Sequence, residues 1–418
     1  MLKPEFFNNK SDKVEEHIRE YEDFLLTKIT KTLLKAGELG ATADRYTFIL
    51  QQMNKSNDEI VERLAKLTKL TQKEVRKLLQ ESVMTSFSND KEVLEKYFEG
   101  DFGPLDNPVI REVMDAEWLK TCGELENLTR TTVSQYQQDL VDLLNSADIR
   151  VAGGAQSYSS AVCEVLDAYA AAGMTVDYPT GAKRSLEAAA RCAVVTSMNQ
   201  AAAQVTNAYI AQGGIEYVLV SAHLSARHSK QGGLYSHDEW QGKPYKIRGS
   251  EPGYPNLLES TGYDIDLATG KGTVVNPAGL HGYNCRHSHQ PWDKSLRNPW
   301  VDEDGNPIID PEESQEKYKQ SQKQRAMERA IRRTKRKLVV KQAEVDTLPA
   351  ESMERATAMA DYDALSYKLS QQNTEYKLYC AENNLQTQSE RLKVAGFGKA
   401  EVSKARGRAR AFSNAKNK

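Results

Sequence analysis

Six of the seven histidines fall between His223 and His289, and they arrive in short polar strings. These are Ser221-Ala222-His223, Ala226-Arg227-His228, His237-Asp238-Glu239-Trp240-Gln241-Gly242-Lys243, and Gly279-Leu280-His281-Gly282-Tyr283-Asn284-Cys285-Arg286-His287-Ser288-His289. Thiolate sulfur and neutral imidazole nitrogen are good zinc ligands. Cys285, His287 and His289 alternate, so an extended segment would carry all three on one side, and His237 or His223 could complete a tetrahedron. The C-x-H-x-H spacing is not a standard zinc motif, and histidines at strand ends also serve simply as hydrogen-bond partners of backbone. Metal binding and structural use therefore both stay open.

A second grouping, His281, Asn284 and His287 around an ion, would make a metal-dependent hydrolase or nuclease. Its spacing is tighter than ββα-metal nucleases use. Gly270-Lys271-Gly272 lacks the flanking residues of a phosphate loop, no G-x-G-x-x-G or G-x-S-x-G occurs, and Asp302, Asp304 and Gly305 do not fill a calcium loop. Trp240 and Trp292 are expected to anchor loops through large buried area and an indole N–H bond. Arg227 and Arg286 are expected to orient the same loops by pairing with acids such as Asp238.

The elements that must position these residues are mostly helical. Val14, Ile18, Tyr21, Leu25, Ile29 and Leu33 recur at helical spacing, and residues from about Asp12 to Ala172 read as helix after helix. Capping spacings at Ser56/Glu59, Thr71/Glu74 and Asn89/Glu92 predict several short helices, separated near Gly40, Asn54 to Asn57 and Thr68 to Thr71. Gly100 to Pro108 predicts a break. A short β segment and turn follow at Met174 to Gly181, then an Ala-rich helix from about Ala182 to Gln212 and a buried strand over Ile215 to Val220. Asp304-Gly305 predicts a hairpin turn. Asp310-Pro311-Glu312-Glu313 opens a long helix, divided at Leu348-Pro349 and ending near Asn384.

The fold class is thus mainly α, with a helical N-terminal region, a small loop-rich α+β unit in the middle and a helical basic C-terminal region. The expected divisions are an N-terminal bundle at 1–105, a second helical set at 106–173, the loop-rich unit at 174–309, a basic helical segment at 310–390 and a disordered basic tail at 391–418.

Within 418 residues of mean hydropathy −0.64, no apolar run approaches a membrane span, so no membrane partner is expected. The first ten residues carry no secretory signal pattern, and five scattered cysteines without a CxxC pair suit reduced thiols. The net charge of −2 hides a split. Lys317 to Lys341 carries eleven Lys/Arg against Glu328, and Arg391 to Lys418 carries nine against Glu401. Such segments suit salt-sensitive, sequence-independent phosphate contact. The candidate DNA-binding residues are Arg332, Arg333, Lys335, Arg336, Lys337, Arg406, Arg408 and Arg410. Their alternative use is as a solvated helix face and a dangling tail.

An ordered set of motifs resembles the phage minor capsid protein 2 family, related more distantly to head-morphogenesis proteins of the Mu F type. It runs through Val176-Asp177-Tyr178-Pro179-Thr180-Gly181, Arg184-Ser185-Leu186-Glu187, Thr196 to Gln200, Ser221-Ala222-His223, Ala226-Arg227, His237 to Lys243, Thr261-Gly262-Tyr263 and Gly282 to Ser288. Arg227, His237, Trp240, Gly242, Asn284, Cys285, Arg286 and His287 are its structural motif residues here. Ser229 to Ser236 departs from the family pattern by a longer spacing. The resemblance implies a structural, non-enzymatic virion component inside the head, in multiple copies. It would assemble in the host cytoplasm, with portal protein and major capsid protein as partners and packaged double-stranded DNA within reach.

Overall fold

The computed structural model describes residues 1–7, 10–39, 41–99, 108–152, 156–177 and 183–416. The break expected at Gly100 to Pro108 and the Tyr178 to Gly181 motif segment fall largely outside these residues. The mainly α class holds. The helices are α1 (Asp12–Ala36), α2 (Thr42–Tyr97), α3 (Pro108–Ala152), α4 (Tyr158–Ala172), α5 (Leu186–Gln212), the short α6 (His237–Trp240) and α7 (Leu257–Thr261), α8 (Pro311–Thr347), α9 (Met353–Glu382) and α10 (Lys399–Lys416). Strands β1 (Thr175–Asp177) and β2 (Lys183–Ser185) pair antiparallel just before α5, so that helix starts at Leu186 rather than near Ala182.

The expected string of short helices between residues 42 and 97 is corrected to one continuous helix, α2. No glycine or proline occurs in it. Asn and Ser in a helix interior each cost only about 0.5 kcal/mol relative to alanine, too little to stop it. Thr68 turns its hydroxyl back to the Leu64 carbonyl at 2.9 Å, and Ser56 is buried within the helix, so neither serves as a cap.

Two compact units emerge, each assembled from three separated stretches of chain. The first comprises Met1–Val14, Thr71–Leu125 and Ala190–Gln322. Its centre is a three-stranded antiparallel sheet in the order β4 (Pro244–Lys246), β3 (Tyr217–Val220), β7 (His289–Trp292), with Val218 opposite Tyr245 on one side and Pro291 on the other. Val218, Leu219 and Val220 are fully buried, as a central strand rich in β-branched residues should be. A hairpin of β5 (Tyr263–Asp266) and β6 (Lys271–Val274) lies beyond α7, whose end is set by Gly262 in the left-handed conformation. The hairpin turn predicted at Asp304-Gly305 is present, with the Ile308 N–H bonding the Trp300 carbonyl at 3.0 Å.

The second unit comprises Glu15–Leu70, Glu126–Ala189 and Lys323–Lys418. The Ile18, Tyr21, Leu25, Ile29 and Leu33 stripe of α1 is buried in it. Ile331 and Leu338 of α8, Tyr362, Leu369, Tyr376 and Cys380 of α9, and Val394, Phe397 and Ala405 beyond them form one core cluster. The tail expected to be disordered is therefore corrected. Residues 399–416 form α10, whose small Ala405 and Ala409 are buried while Phe412 packs on Tyr367 at 5.6 Å. Apolar side chains at three- and four-residue spacing supply the burial that the basic composition conceals.

Candidate functional site

The loops that carry the histidines are held by α5. On this Ala-rich helix, Asn199, Gln200, Gln204 and Asn207 lie along one side, within an arc of about 140° at 100° per residue. Asn199 donates to the carbonyls of Cys285 and His287, both at 2.9 Å. Gln200 donates to the His281 carbonyl at 2.9 Å, and Gln204 both donates to and accepts from the Gly272 backbone at 2.8 Å. Asn207 meets Tyr263 and His289. Asn199 and Gln200 close the Thr196 to Gln200 motif, whereas Gln204 and Asn207 are the site's missed residues. The signal in the sequence is four carboxamides spaced i, i+1, i+5 and i+8 along the alanine-rich middle of a helix.

From the other side, Arg227 donates to the carbonyls of Ala278 and Tyr283 and so clamps the loop that follows β6. The expected pairing of Arg227 with Asp238 is corrected, because Asp238 instead holds His228 at 2.8 Å and the Ser236 hydroxyl at 2.6 Å. Arg286 is half-buried beside His223, and its field helps keep that ring neutral. Asn284 and His281 both take positive φ in this loop, 54° and 57°. Gly242 sits at φ 69°, and an added Cβ would press on Trp300 and Ala222 at 3.1 and 3.2 Å. Trp240 is buried with its indole N–H on the Leu234 carbonyl at 3.3 Å. Trp292 is buried too, but its N–H meets no partner among the described residues, which corrects half of the tryptophan expectation.

Two separate polar clusters result. In the first, Cys285 Sγ lies 3.9 Å from His237 Nδ1 and 3.7 Å from His287 Nδ1. Trp240 walls it, with ring centroids 4.5 Å from His237 and 4.8 Å from His287, and His223 stacks on His287 at 4.4 Å. In the second, His281 bonds Asn199 at 3.1 Å and His289 at 2.8 Å, and His289 continues to Asn207 at 2.8 Å. His289 was expected to join Cys285 and His287. Both of its nitrogens are engaged in the second cluster, and β7 begins only at His289, so the regular alternation that would have aligned the three is absent. Nor do His281, Asn284 and His287 converge: His281 turns to Asn199, Asn284 is exposed, and His287 turns to Cys285.

Burial sets the charge state. It pushes His237 and His289 down to about 3 and His223 to about 4, and it holds His281 and His287 well below the usual imidazole value. Arg227 adds to the effect at His237. The same burial pushes the Cys285 thiol up to about 11. The imidazoles are therefore neutral at pH 7, each with one nitrogen lone pair to satisfy.

The candidate phosphate-contacting residues divide sharply. Arg332 reaches Glu187 at 3.0 Å, and Arg336 reaches Glu22 at 2.6 Å with Asp23 at 3.5 Å. Lys335 donates to the Leu392 carbonyl, and burial lowers it to about 8. Arg408 pairs with Asp363 at 3.1 Å. Arg333, Arg406 and Arg410 are exposed, and Lys337 is half-buried.

A family model described as phage minor capsid protein 2 matches residues 2–367. No curated protein and no solved structure matches the chain.

Proposed function

Given that the chain belongs to the phage minor capsid protein 2 family, we propose that it sits inside the head, docked on portal protein or major capsid protein and reaching packaged double-stranded DNA. The family makes it a structural phage head protein whose partners are other virion components. No helix among the described residues is long and apolar enough to cross a membrane. The family match, which spans nearly nine-tenths of the chain, carries the reading.

DNA contact falls to Arg333, Lys337, Arg406 and Arg410, since Arg332, Lys335, Arg336 and Arg408 are held by internal partners. This assigns a smaller electrostatic footprint than the charge count in the sequence would give. Three exposed cations and the half-buried Lys337 on α8 and α10 suit weak, salt-sensitive phosphate contact rather than sequence reading. Assembly in the host cytoplasm, several copies per particle and a structural rather than catalytic role complete the proposal.

The test is quantitative mass spectrometry with cross-linking on purified DNA-filled heads. Several copies linked to portal or major capsid protein are expected. Heads that lack the chain, or that hold it with links to neither protein, overturn the docking proposal.

A further inference from the structure

We propose that His237 Nδ1, Cys285 Sγ and His287 Nδ1 bind one zinc-class divalent ion, with water as the fourth ligand, and that this ion staples α6 to the loop before β7. The three donor atoms lie within 4.8 Å of one another, on side chains that are at most 2% exposed. Tetrahedral zinc with a sulfur at 2.3 Å and a nitrogen near 2.05 Å holds them about 3.6 Å apart. The observed Sγ–Nδ1 separations of 3.7 and 3.9 Å need a small contraction, and the two imidazole nitrogens, within 4.8 Å of each other, must swing closer, toward the roughly 3.3 Å of a tetrahedral pair.

Hydrogen bonding aims the lone pairs. The Ala278 carbonyl can only accept, so His237 Nε2, 2.7 Å away, is the protonated nitrogen of that ring. Gln241 Oε1 accepts the His223 backbone N–H at 3.0 Å, which fixes its amide and makes His287 Nε2, also at 3.0 Å, a donor. Both Nδ1 lone pairs are then left toward Cys285 Sγ. Outer carbonyl partners that fix the tautomer are what imidazole ligands of metals ordinarily have. Without an ion, the single thiol hydrogen can serve only one of the two Nδ1 acceptors. With one, the thiol proton leaves to solvent, the thiolate and both imidazoles are satisfied together, and one proton is released per ion.

The donor set excludes magnesium and calcium, which take oxygen, and favours zinc. Among the described residues no fourth His, Cys, Asp or Glu atom joins the group. His223 stacks on His287 and meets the Leu224 carbonyl, and His289 is held by His281 and Asn207.

The experiment uses the untagged full-length chain, stripped with chelator and then given zinc or cobalt(II) alone. Expected are one ion retained per chain, release of one proton, a melting temperature higher by roughly 5 °C or more at saturating zinc, and a thiolate-to-cobalt charge-transfer band with tetrahedral d–d intensity. Cys285→Ser should abolish the charge-transfer band, whereas His289→Gln should keep it. Because the wild-type cobalt spectrum alone decides whether sulfur binds, a misfolded variant leaves the test intact. Wild-type chain that retains no zinc and shows no sulfur-to-cobalt band overturns the proposal, as does a band that survives Cys285→Ser.

Discussion

The two compact units solve the same problem, polar groups inside a protein, in opposite currencies. In the unit built around β3, the network that holds the histidine loops is neutral: imidazoles, carboxamides and backbone carbonyls, matched donor to acceptor along α5, while the buried Asp90 carboxylate pairs separately with the Met1 amino group. In the unit that contains most of α8, the corresponding network is charged. Glu187 takes both Arg19 at 2.9 Å and Arg332 at 3.0 Å, Arg336 takes Glu22, and Lys341 takes Asp167 at 2.9 Å and Glu344 at 3.0 Å. A dense run of basic residues on a helix is thus not by itself a binding surface. Its meaning depends on which acids the fold brings to it, and here one partner lies 314 positions away in sequence.

Removing one member of the charged network should have the largest effect. Arg336→Ala leaves the buried Glu22 and Asp23 carboxylates without their cation, which should cost about 3–5 kcal/mol in urea unfolding. Arg333→Ala, three residues earlier on an exposed position, should stay within about 0.5 kcal/mol. Equal costs would mean that the division into internal and external cations is wrong.

The neutral network should yield next. Asn199→Ala removes donors from two carbonyls and the partner of His281, a loss of about 2–3 kcal/mol. Hydrogen exchange should show faster opening of residues 281–289. Unchanged protection there would show that α5 does not hold the loop.

Acidification separates the two units by sign. A neutral buried His289, with a folded value of about 3 against 6.5 unfolded, contributes stability above pH 6.5 that is lost as pH falls toward 3. At pH 5 that loss is about 2 kcal/mol for such a ring. Asp23 and Glu344 run the other way, because burial raises both to about 7, so ionising them costs stability above that value and the cost fades between about pH 7 and 4. Lowering pH from 7 to 5 should therefore weaken protection around β7 while strengthening it around α1 and α8, measured by exchange corrected for intrinsic rates. Parallel changes in both would contradict the contrast.

The smallest effect concerns the outer cations. Replacing Arg333, Arg406 and Arg410 by Gln should leave the melting temperature unchanged and flatten the salt dependence of DNA binding by about three logarithmic units per decade of salt, if each residue meets a phosphate. An unaltered slope would move the contact elsewhere.

These contrasts also mark what the sequence could reveal. The α1 stripe, the strand within Ile215 to Val220, the hairpin at Gly305 and the helix start at Asp310, whose carboxylate accepts the Glu312 N–H at 2.9 Å, are legible because each rests on local chemistry. The His/Cys motifs pointed to a specially shaped unit, and His237, Cys285 and His287 do meet. His289 departs from them because alternation needs a regular strand, and β7 begins only at that residue. Composition alone suggests a disordered tail, although Val402, Ala405, Ala409 and Phe412 stand at helical spacing. In α2, residues that favour caps have no glycine or proline breaker beside them, so the helix runs on where their spacing suggests ends. Long-range pairing, such as Arg336 with Glu22, leaves no local trace at all.

The central claim is that this chain works from inside the head. The most direct measurement treats purified DNA-filled heads with protease before and after the DNA is released, following the chain by quantitative mass spectrometry. A chain placed inside the head is present and protected in filled heads, and cleaved once they are opened. A chain absent from filled heads, or digested equally in both, would contradict that placement.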